Sequence, residues 1–157
     1  MSDAGGTILT TRYTYSIDGR IIGIKDITYT YDSYGNIVTI SINGVEKYHY
    51  YYDIKDELIR ANDGINNKTA TYNYDGNGNI VSKSVYAYTT GSLDGLTPVS
   101  TINYSYGNSA FPDQLTSYNG QQIAYDALGN PLTYIGWGMT WVNGRSLATI
   151  SNGTTDA

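Results

Sequence analysis

The sequence predicts an all-β chain of antiparallel β-hairpin repeats that form a curved sheet or a spiral. A short motif, an aromatic residue followed by a polar turn and an aliphatic residue, occurs seven times in the 157 residues. Turn residues recur roughly every 8–12 residues, as in all-β chains. No window carries the apolar spacing of an amphipathic helix. Because repeated units bury surface against their neighbours, the motif is the natural unit of the fold.

The clearest copies of the motif share Tyr-Asp at positions 1 and 2, Gly-Asn at positions 5 and 6, and an aliphatic residue or proline at position 7. They begin at Tyr31, Tyr74 and Tyr125. The defining residues of these three copies are Tyr31, Asp32, Gly35 and Asn36; Tyr74, Asp75, Gly78 and Asn79; and Tyr125, Asp126, Gly129 and Asn130.

Four further copies vary at one or more positions. The copy 15–21 keeps Tyr15 and Gly19, and the copy 52–58 keeps Tyr52 and Asp53. The copy that begins at Tyr106 contains three extra residues and ends at Leu115. In the copy 141–147, Trp141 replaces the tyrosine and Gly144 follows an asparagine. All seven are interpreted as hairpins of the same kind.

The motif has a physical explanation as a turn. An aspartate at position 2 can accept hydrogen bonds from backbone amides two or three residues later. Glycine at position 5 suits a left-handed residue that ends a type I turn and forms a bulge. In the third copy Asp56 holds this position, and aspartate is one of the few residues that tolerate it. The β-branched segment after position 7, such as 37–42, favours a second strand.

A second tyrosine stands two residues before most motif aromatics. Side chains two apart lie on the same face of a strand, so both rings are expected to pack together. The packing residues expected from this pattern are Tyr13, Tyr15, Tyr29, Tyr31, Tyr50, Tyr52, Tyr72, Tyr74, Tyr104, Tyr106, Tyr125 and Trp141. With 18 Tyr and only one Phe, the hydroxyl is also expected to matter, because it can bond to backbone while the ring packs.

The domain organisation expected from composition is simple. Residues 7–150 form one repeat array of about seven hairpins, and residues 1–6 and 151–157 form disordered ends. No stretch has the composition of an interdomain linker.

Composition excludes several classes of function. The net charge is −5 and no basic cluster exists, which argues against nucleic-acid binding. No apolar run is long enough for a membrane span, and the first residues do not have the pattern of a signal peptide. The absence of cysteine excludes disulfides and thiol catalysis.

Few residues of the chain suit catalysis or metal binding. His49 is the only histidine, so a site with two histidines is excluded. The segment 75–79 resembles the start of a calcium loop, but Ile80 and Tyr86 stand where that loop needs glycine and glutamate. The recurring aspartates are better explained as turn caps than as paired catalytic carboxylates. The sequence therefore predicts a protein that is not an enzyme and that uses no cofactor or metal.

The copies 31–37, 74–80 and 125–131 resemble the YD repeats of Rhs proteins, wall-associated repeat proteins, toxin-complex C components and teneurins. The segments 113–120, 123–132 and 139–145 are similar to the Gram-positive branch. The resemblance covers about residues 13–150. It implies a segment of a hollow β-shell, a secreted or cell-surface bacterial location, and as partners the remaining repeats of a larger chain and its enclosed toxin domain. The Asp-Pro-rich segment that marks self-cleavage in this family is absent, so no protease role is assigned to any residue.

Two alternatives remain open. One is a binding module for carbohydrate or another surface. Its candidate rings are the tyrosines and the tryptophan outside the repeat positions, namely Tyr34, Tyr48, Tyr51, Tyr86, Tyr88, Tyr118, Tyr134 and Trp137. The other is self-association through unprotected sheet edges.

Overall fold

The computed structural model describes residues 12–153, which contain fourteen β-strands and no helix. The expected all-β class is therefore confirmed. The strands are β1 (Tyr13–Tyr15), β2 (Ile21–Ile24), β3 (Ile27–Tyr31), β4 (Ile37–Ile42), β5 (Val45–Tyr52), β6 (Leu58–Asp63), β7 (Lys68–Tyr74), β8 (Ile80–Ala87), β9 (Ser100–Ser105), β10 (Ser117–Tyr118), β11 (Gln121–Gln122), β12 (Thr133–Tyr134), β13 (Trp137–Val142) and β14 (Ser146–Ser151).

The strands follow one another in space as they do in sequence. Strands β1 to β11 form one sheet in chain order, and β12 to β14 form a second sheet, also in chain order. Every pairing whose register is resolved is antiparallel. By their contacts the residues fall into two compact units. The first contains the described residues up to Ala70 together with Tyr86–Leu96, and the second contains Thr71–Val85 with the described residues from Thr97 onward.

Four motif turns join two strands with the same irregularity. Thr30 faces Thr39, but the next residue, Tyr31, faces Ile37, so Val38 is an extra residue in β4. The same shift by one residue occurs at Tyr15, at Tyr52 and at Trp141. A bulge of this kind increases the local twist of the strands. It therefore marks the residue after position 7 in four of the units.

The junctions between successive units share a constant register. The residue two places after position 7 of one unit faces the residue three places before position 1 of the next unit. The five resolved junctions of this kind are Gly23 with Thr28, Thr39 with His49, Ser82 with Asn103, Ser117 with Gln122, and Thr133 with Gly138. The intervening chain varies in length, but the register does not. The connecting loops therefore absorb the difference in repeat spacing.

Alternation along the strands separates two kinds of side chain. In the first compact unit Tyr29 faces Ile40, and the hydroxyls of the adjacent pair, Thr30 and Thr39, are hydrogen-bonded at 2.7 Å. In the second compact unit Met139 faces Ile150, and the hydroxyls of Thr140 and Thr149 are hydrogen-bonded at 2.6 Å. These two hairpins thus each have an apolar face and a hydroxyl-bearing face.

Few apolar side chains are deeply buried. Among the apolar side chains of the described residues, only those of Ala70 and Ile123 are less than a tenth exposed, at 8% and 7%. The two largest fully buried side chains are polar, Asn62 and Thr69. Each sheet is therefore held by partly buried rings and by hydrogen bonds, and not by a conventional core.

The sixth motif differs from the others in its strand pairing. Tyr125 and Pro131 form only an isolated bridge, because proline has no backbone N–H to continue the ladder. Ser151, assigned from the sequence to the C-terminal end, is the last residue of β14. The expected disordered ends at 1–6 and 154–157 lie outside the described residues, as do residues 7–11 of the expected array.

Candidate functional site

The motif turns are closed by the aspartate at position 2. One carboxylate oxygen of Asp32 accepts hydrogen bonds from the backbone amides of Tyr34, Gly35 and Asn36 at 3.0, 2.8 and 2.9 Å. Its other oxygen accepts the side-chain amide of Asn36 at 3.0 Å. The amide of Asp32 donates in return to the carbonyl of Asn36 at 3.0 Å. The aspartate and the asparagine thus form one closed turn.

The other aspartates of the motif make the same bonds. Asp75 accepts the backbone and side-chain amides of Asn79 at 3.0 and 3.1 Å. Asp126 accepts the corresponding groups of Asn130 at 2.9 and 2.8 Å. Asp53 accepts the backbone amides of Lys55 and Glu57 at 2.8 and 3.0 Å, but position 6 here offers no side-chain amide. The carboxylates are thus occupied as turn caps.

Position 5 of these turns is left-handed. The φ angles are +84° at Gly19, +100° at Gly35, +87° at Gly78, +81° at Gly129 and +62° at Asp56. In the seventh motif the left-handed residues come before position 5. They are Asn143 at position 3, with a φ of +49°, and Gly144 at position 4, with a φ of +83°. Only glycine, or a residue such as aspartate or asparagine, adopts this conformation at low cost.

The hydrogen bonds change the acidity of the caps. Backbone and side-chain bonds from Asn79 lower the pKa of Asp75, and the side-chain and backbone bonds of Asn130 lower the pKa of Asp126. The backbone bond from Glu57 lowers the pKa of Asp53. At Asp32, burial opposes the bonds from the turn, and the bonds prevail, so its pKa is also lowered. The ionised carboxylates are the forms that the turns stabilise.

In five of the seven motifs the aromatic residue is bonded to the preceding motif. Its hydroxyl, or the indole N–H of Trp141, donates to the backbone carbonyl of the position-7 residue of the preceding motif. The bonds are Tyr31 to Ile21 at 2.6 Å, Tyr52 to Ile37 at 3.0 Å, Tyr106 to Ile80 at 3.1 Å, Tyr125 to Leu115 at 2.7 Å, and Trp141 to Pro131 at 2.7 Å. We call this series the aromatic ladder. It joins consecutive units at a fixed point of the motif.

Burial changes the acidity of several rungs. It raises the pKa of Tyr52, Tyr106 and Tyr125, and a nearby carboxylate adds to the effect at Tyr52 and Tyr106. Burial also raises the pKa of Tyr104, which contacts Tyr118 edge-on at 5.4 Å between ring centroids. The neutral phenol, which donates to the carbonyl, is the form that the fold favours.

A second set of bonds links the turns themselves. The asparagine at position 6 of one unit donates its side-chain amide to the turn of the next unit. The bonds are Asn36 to Asp56 at 2.9 Å, Asn79 to Asp113 at 2.9 Å, and Asn130 to the carbonyl of Gly144 at 2.7 Å. Asp56 and Asp113 both stand two places before the aliphatic residue of their motif. The unit with three extra residues therefore offers an acceptor at the same distance from its aliphatic residue as the unit 52–58.

Two solved structures contain the same arrangement of strands. One is a mutant form of the Photorhabdus luminescens Tc holotoxin pore, with a TM-score of 0.68 at 21% sequence identity. The other is the crystal structure of TcdB2, TccC3 and Cdc42, with a TM-score of 0.66 at 21% identity. Each match covers 93% of this chain and 9% of the other chain. No protein-family model and no curated protein sequence matches the chain.

The chain has the fold of these Tc toxin chains. The resemblance to YD-repeat proteins that the motif predicted is thus confirmed at the level of the fold. This chain spans about a tenth of the length of each match, because the share covered is 9%. The seven motifs are called YD units below.

Burial of the YD-unit rings differs along the chain. Ten of the twelve aromatic side chains expected to pack are partly buried. The expectation is wrong for Tyr13 and Tyr15, which are 50% and 57% exposed. Both lie in β1, whose outer edge is covered by no other strand of residues 12–153.

The residues weighed as catalytic or metal-binding have structural contacts. His49 Nδ1 lies 3.0 Å from a Glu46 carboxylate oxygen, and its ring stacks on Tyr51 with centroids 4.6 Å apart. Within the described part of the chain, no three acidic, histidine or cysteine side chains converge as metal ligands would. In the same residues, no helix has the length and apolar character needed to cross a bilayer.

The most buried polar cluster was not predicted. The guanidinium of Arg60 donates to Asn62 Oδ1 at 2.9 Å and to the carbonyls of Thr89 and Gly91 at 2.7 and 2.9 Å. The Thr69 hydroxyl donates to the Thr89 carbonyl at 3.1 Å and accepts the Thr89 amide at 3.1 Å. This cluster, called the Arg60 cluster, fixes the segment 89–91 to the β6–β7 hairpin. No local sequence pattern distinguishes these residues.

Proposed function

We propose that this chain is a non-catalytic structural scaffold, a segment of the wall of a YD-repeat β-shell. The shell would encapsulate or present a toxin or effector domain in a secreted or cell-surface bacterial protein. Its partners would be the remaining repeats of a larger parent chain and the enclosed toxin domain. The main support is the aromatic ladder, which joins successive units at one fixed point of the motif.

The ladder supports a wall and not a pocket. The position-1 aromatic and the position-2 aspartate direct their polar atoms at backbone groups of the array. Such groups hold one unit to the next and close each turn. They are not arranged around a common point where a substrate could bind. The repeated aromatic and aspartate residues therefore extend the sheet from one motif to the next.

The likeness to the Tc toxin chains supports the proposal that this fold is one segment of a larger shell. Each matched toxin chain contains this fold in 9% of its length, so the fold is one portion of a much longer chain. A wall built of such portions needs the same junction at every step. The constant register of the junctions provides it.

A graft tests the proposal. Residues 12–153 would replace the aligned segment of a Tc toxin shell chain, and the enclosed toxin domain would be assayed for resistance to protease. We expect a closed particle by electron microscopy and a protected toxin domain. The matched control is the same graft carrying Tyr31→Ala and Tyr125→Ala, which removes two rungs of the ladder. We expect that control to lose protection.

One outcome of the graft experiment would refute the wall function. If the graft folds with its β-sheet signal intact but the toxin domain is digested as fast as without a shell, the wall function is refuted. Equal protection in the alanine control would show that the ladder is not what carries it.

One observation favours a second candidate, a carbohydrate-binding surface. In the second compact unit Tyr104, Tyr118 and Tyr134 form a row with centroids 5.4 and 5.9 Å apart, and Tyr134 is 37% exposed. Aromatic faces of this kind can pack against sugar rings. Titration with oligosaccharides, compared with the Tyr134→Ala variant, tests it: binding that disappears in the variant would support the surface. No heat of binding from any oligosaccharide would exclude it for those sugars.

A further inference from the structure

A cavity lies among the turns of the fifth, sixth and seventh motifs, all within the second compact unit. Its volume is about 370 Å³, and its lining residues are Phe111, Gln114, Ala127, Leu128, Gly129 and Arg145. We propose that this cavity binds the carboxyl-terminal residue of a partner polypeptide, where that residue has an apolar side chain. The carboxylate would bind the Arg145 guanidinium, and the side chain would pack against Phe111 and Leu128. This inference does not depend on the proposed function.

The loop of the fifth motif, which contains its three extra residues, supplies one wall of the cavity. The side-chain amide of Asn108 donates to Gln114 Oε1 at 2.7 Å, and the amide of Phe111 donates to the Asn108 carbonyl at 3.1 Å. Asp113 accepts the side chain of Asn79 at 2.9 Å, which ties the loop to the fourth motif. The Phe111 ring, 64% exposed, is therefore presented by a loop with fixed contacts. A wall that is already ordered loses little entropy when a ligand binds.

The opposite wall carries a positive charge. Arg145 Nη2 donates to the Leu128 carbonyl at 3.2 Å, and within residues 12–153 the guanidinium forms no ion pair. Asp126 lies near enough to feel this charge, but both of its carboxylate oxygens accept amide hydrogen bonds from the sixth turn. A guanidinium has five N–H donors and can bind a carboxylate through two parallel bonds. Arg145 therefore has donors left for an anion.

The chemistry and the size of the cavity together specify the ligand. An apolar wall beside a guanidinium suits a carboxylate that stands next to an apolar group. The volume is at the small end of the range for ligand pockets, about 300–1,000 Å³, so the ligand is about one residue in size. A chain-terminal residue provides both groups at once. A free amino acid would also place its ammonium near Arg145, and like charges repel, whereas a peptide bond removes that charge.

Neighbouring repeats of a parent chain would leave this cavity open. A following repeat would pair with β14, and by the pattern of the links between turns it would contact position 6 of the seventh motif, Ser146. Ser146 does not line the cavity. Arg145 instead points back to the sixth motif through its bond to Leu128. The cavity is thus formed between successive motifs of this chain and stays accessible in a longer array.

Peptide titration of the isotope-labelled full chain, followed by NMR, is the first test. The probe is acetyl-Gly-Phe with a free carboxylate, and we expect it to shift the amide signals of Leu128, Gly129 and Arg145. The same peptide ending in a carboxamide should bind at least about tenfold more weakly, because it cannot form the charge-assisted bonds. Equal affinity of the two peptides, or no shift with either, would refute the proposal. Free phenylalanine binding as tightly as acetyl-Gly-Phe would also overturn it, in favour of an amino-acid site.

Variants test the assigned residues. Arg145→Gln should weaken the binding of acetyl-Gly-Phe about tenfold, and Phe111→Ala should weaken it about fivefold through the lost aromatic wall. Arg12→Gln is the matched control, since Arg12 is exposed and lies in the first compact unit. Wild-type affinity in an Arg145→Gln variant with an unchanged circular dichroism spectrum would refute the role of Arg145. If that variant does not fold, the comparison of carboxylate and carboxamide in the wild type still decides.

Discussion

Removing one hydroxyl from the aromatic ladder should measurably lower the free energy of unfolding. Tyr52 is the best choice, because its hydroxyl donates to the Ile37 carbonyl at 3.0 Å within one compact unit. Tyr52→Phe removes this donor and leaves the ring in place. Tyr52→Ala removes both. Comparing them separates the hydrogen bond from the packing of the ring.

The expected magnitudes follow from the contacts. A neutral hydrogen bond contributes about 1 kcal/mol net, so Tyr52→Phe should lower the free energy of unfolding by that amount. A fully buried ring removes about 150–250 Å² from water, and a ring half-buried as here about 100 Å². At about 25 cal/mol per Å² this adds roughly 2.5 kcal/mol. Tyr52→Ala should therefore cost about 3–4 kcal/mol.

Thermal and denaturant unfolding, followed by circular dichroism, measure these differences. A loss of 1 kcal/mol should lower the Tm by about 2–4 °C in a chain of this size. Tyr34→Phe is the control and should leave the Tm unchanged, because Tyr34 is 79% exposed. If Tyr52→Phe unfolds at the same temperature as the wild type, the ladder does not stabilise the fold and our reasoning is wrong.

The titration of the phenol gives an independent signal. Burial raises the pKa of Tyr52, so the folded state favours the protonated hydroxyl. The stabilisation is then fully present below the unfolded pKa of about 10 and is lost as the pH rises through the higher folded pKa. Absorbance titration of the wild type should show phenols that ionise late. Tyr52→Phe should remove one of these late phenols.

Three further predictions concern the turns and the buried cluster. The pKa of Asp75 is lowered in the folded state, so its carboxylate stabilises the fold above the unfolded pKa of about 4. This stabilisation is lost as the pH falls through the folded pKa. Acid unfolding of the Asp75→Asn variant should therefore depend less on pH than that of the wild type. Gly129→Ala should lower the free energy of unfolding by about 1 kcal/mol, because the φ of Gly129 is +81° and there is open space around it. Gly76 has equal open space and no positive φ, so Gly76→Ala should leave the free energy of unfolding nearly unchanged. Equal losses in denaturant unfolding would refute the conformational argument. Arg60→Lys should accelerate hydrogen exchange of the Thr89 and Gly91 amides, since lysine cannot form the three bonds of the guanidinium; unchanged exchange would show that the Arg60 cluster does not hold this segment.

Much of the fold was predictable because its determinants are local. The motif places an aspartate, a left-handed residue and a β-branched strand within a few residues of each other, and each has its own conformational preference. Even the replacement of glycine by Asp56 was readable, since aspartate tolerates the left-handed region. Hairpins of this kind need no information from distant residues.

The contacts between units were less predictable. The sequence shows that tyrosine is preferred to phenylalanine, but not which acceptor the hydroxyl finds. The partner lies 10 residues earlier for Tyr31 and 26 residues earlier for Tyr106. Only the register of the sheet makes these two distances equivalent. That register emerges from the pairing of strands and not from the spacing of motifs.

The Arg60 cluster shows why some residues escape sequence analysis altogether. Its members come from β6, from β7 and from a loop 29 and 31 residues away from Arg60. The sequence contains several other Thr, Asn and Arg residues in similar strands, and nothing local separates them. Their burial depends on one loop that covers one hairpin. Such an arrangement is visible only in three dimensions.

Trp141 indicates what the first position of a YD unit must provide. Its indole N–H donates to the Pro131 carbonyl at 2.7 Å, the same bond that tyrosine hydroxyls make elsewhere in the ladder. Tyrosine and tryptophan share a large ring with a hydrogen-bond donor at its edge, and phenylalanine lacks the donor. The one phenylalanine of the chain, Phe111, is 64% exposed in a loop. The motif is therefore better described as selecting an aromatic donor than as selecting tyrosine, and Trp141→Phe should weaken its junction more than Trp141→Tyr.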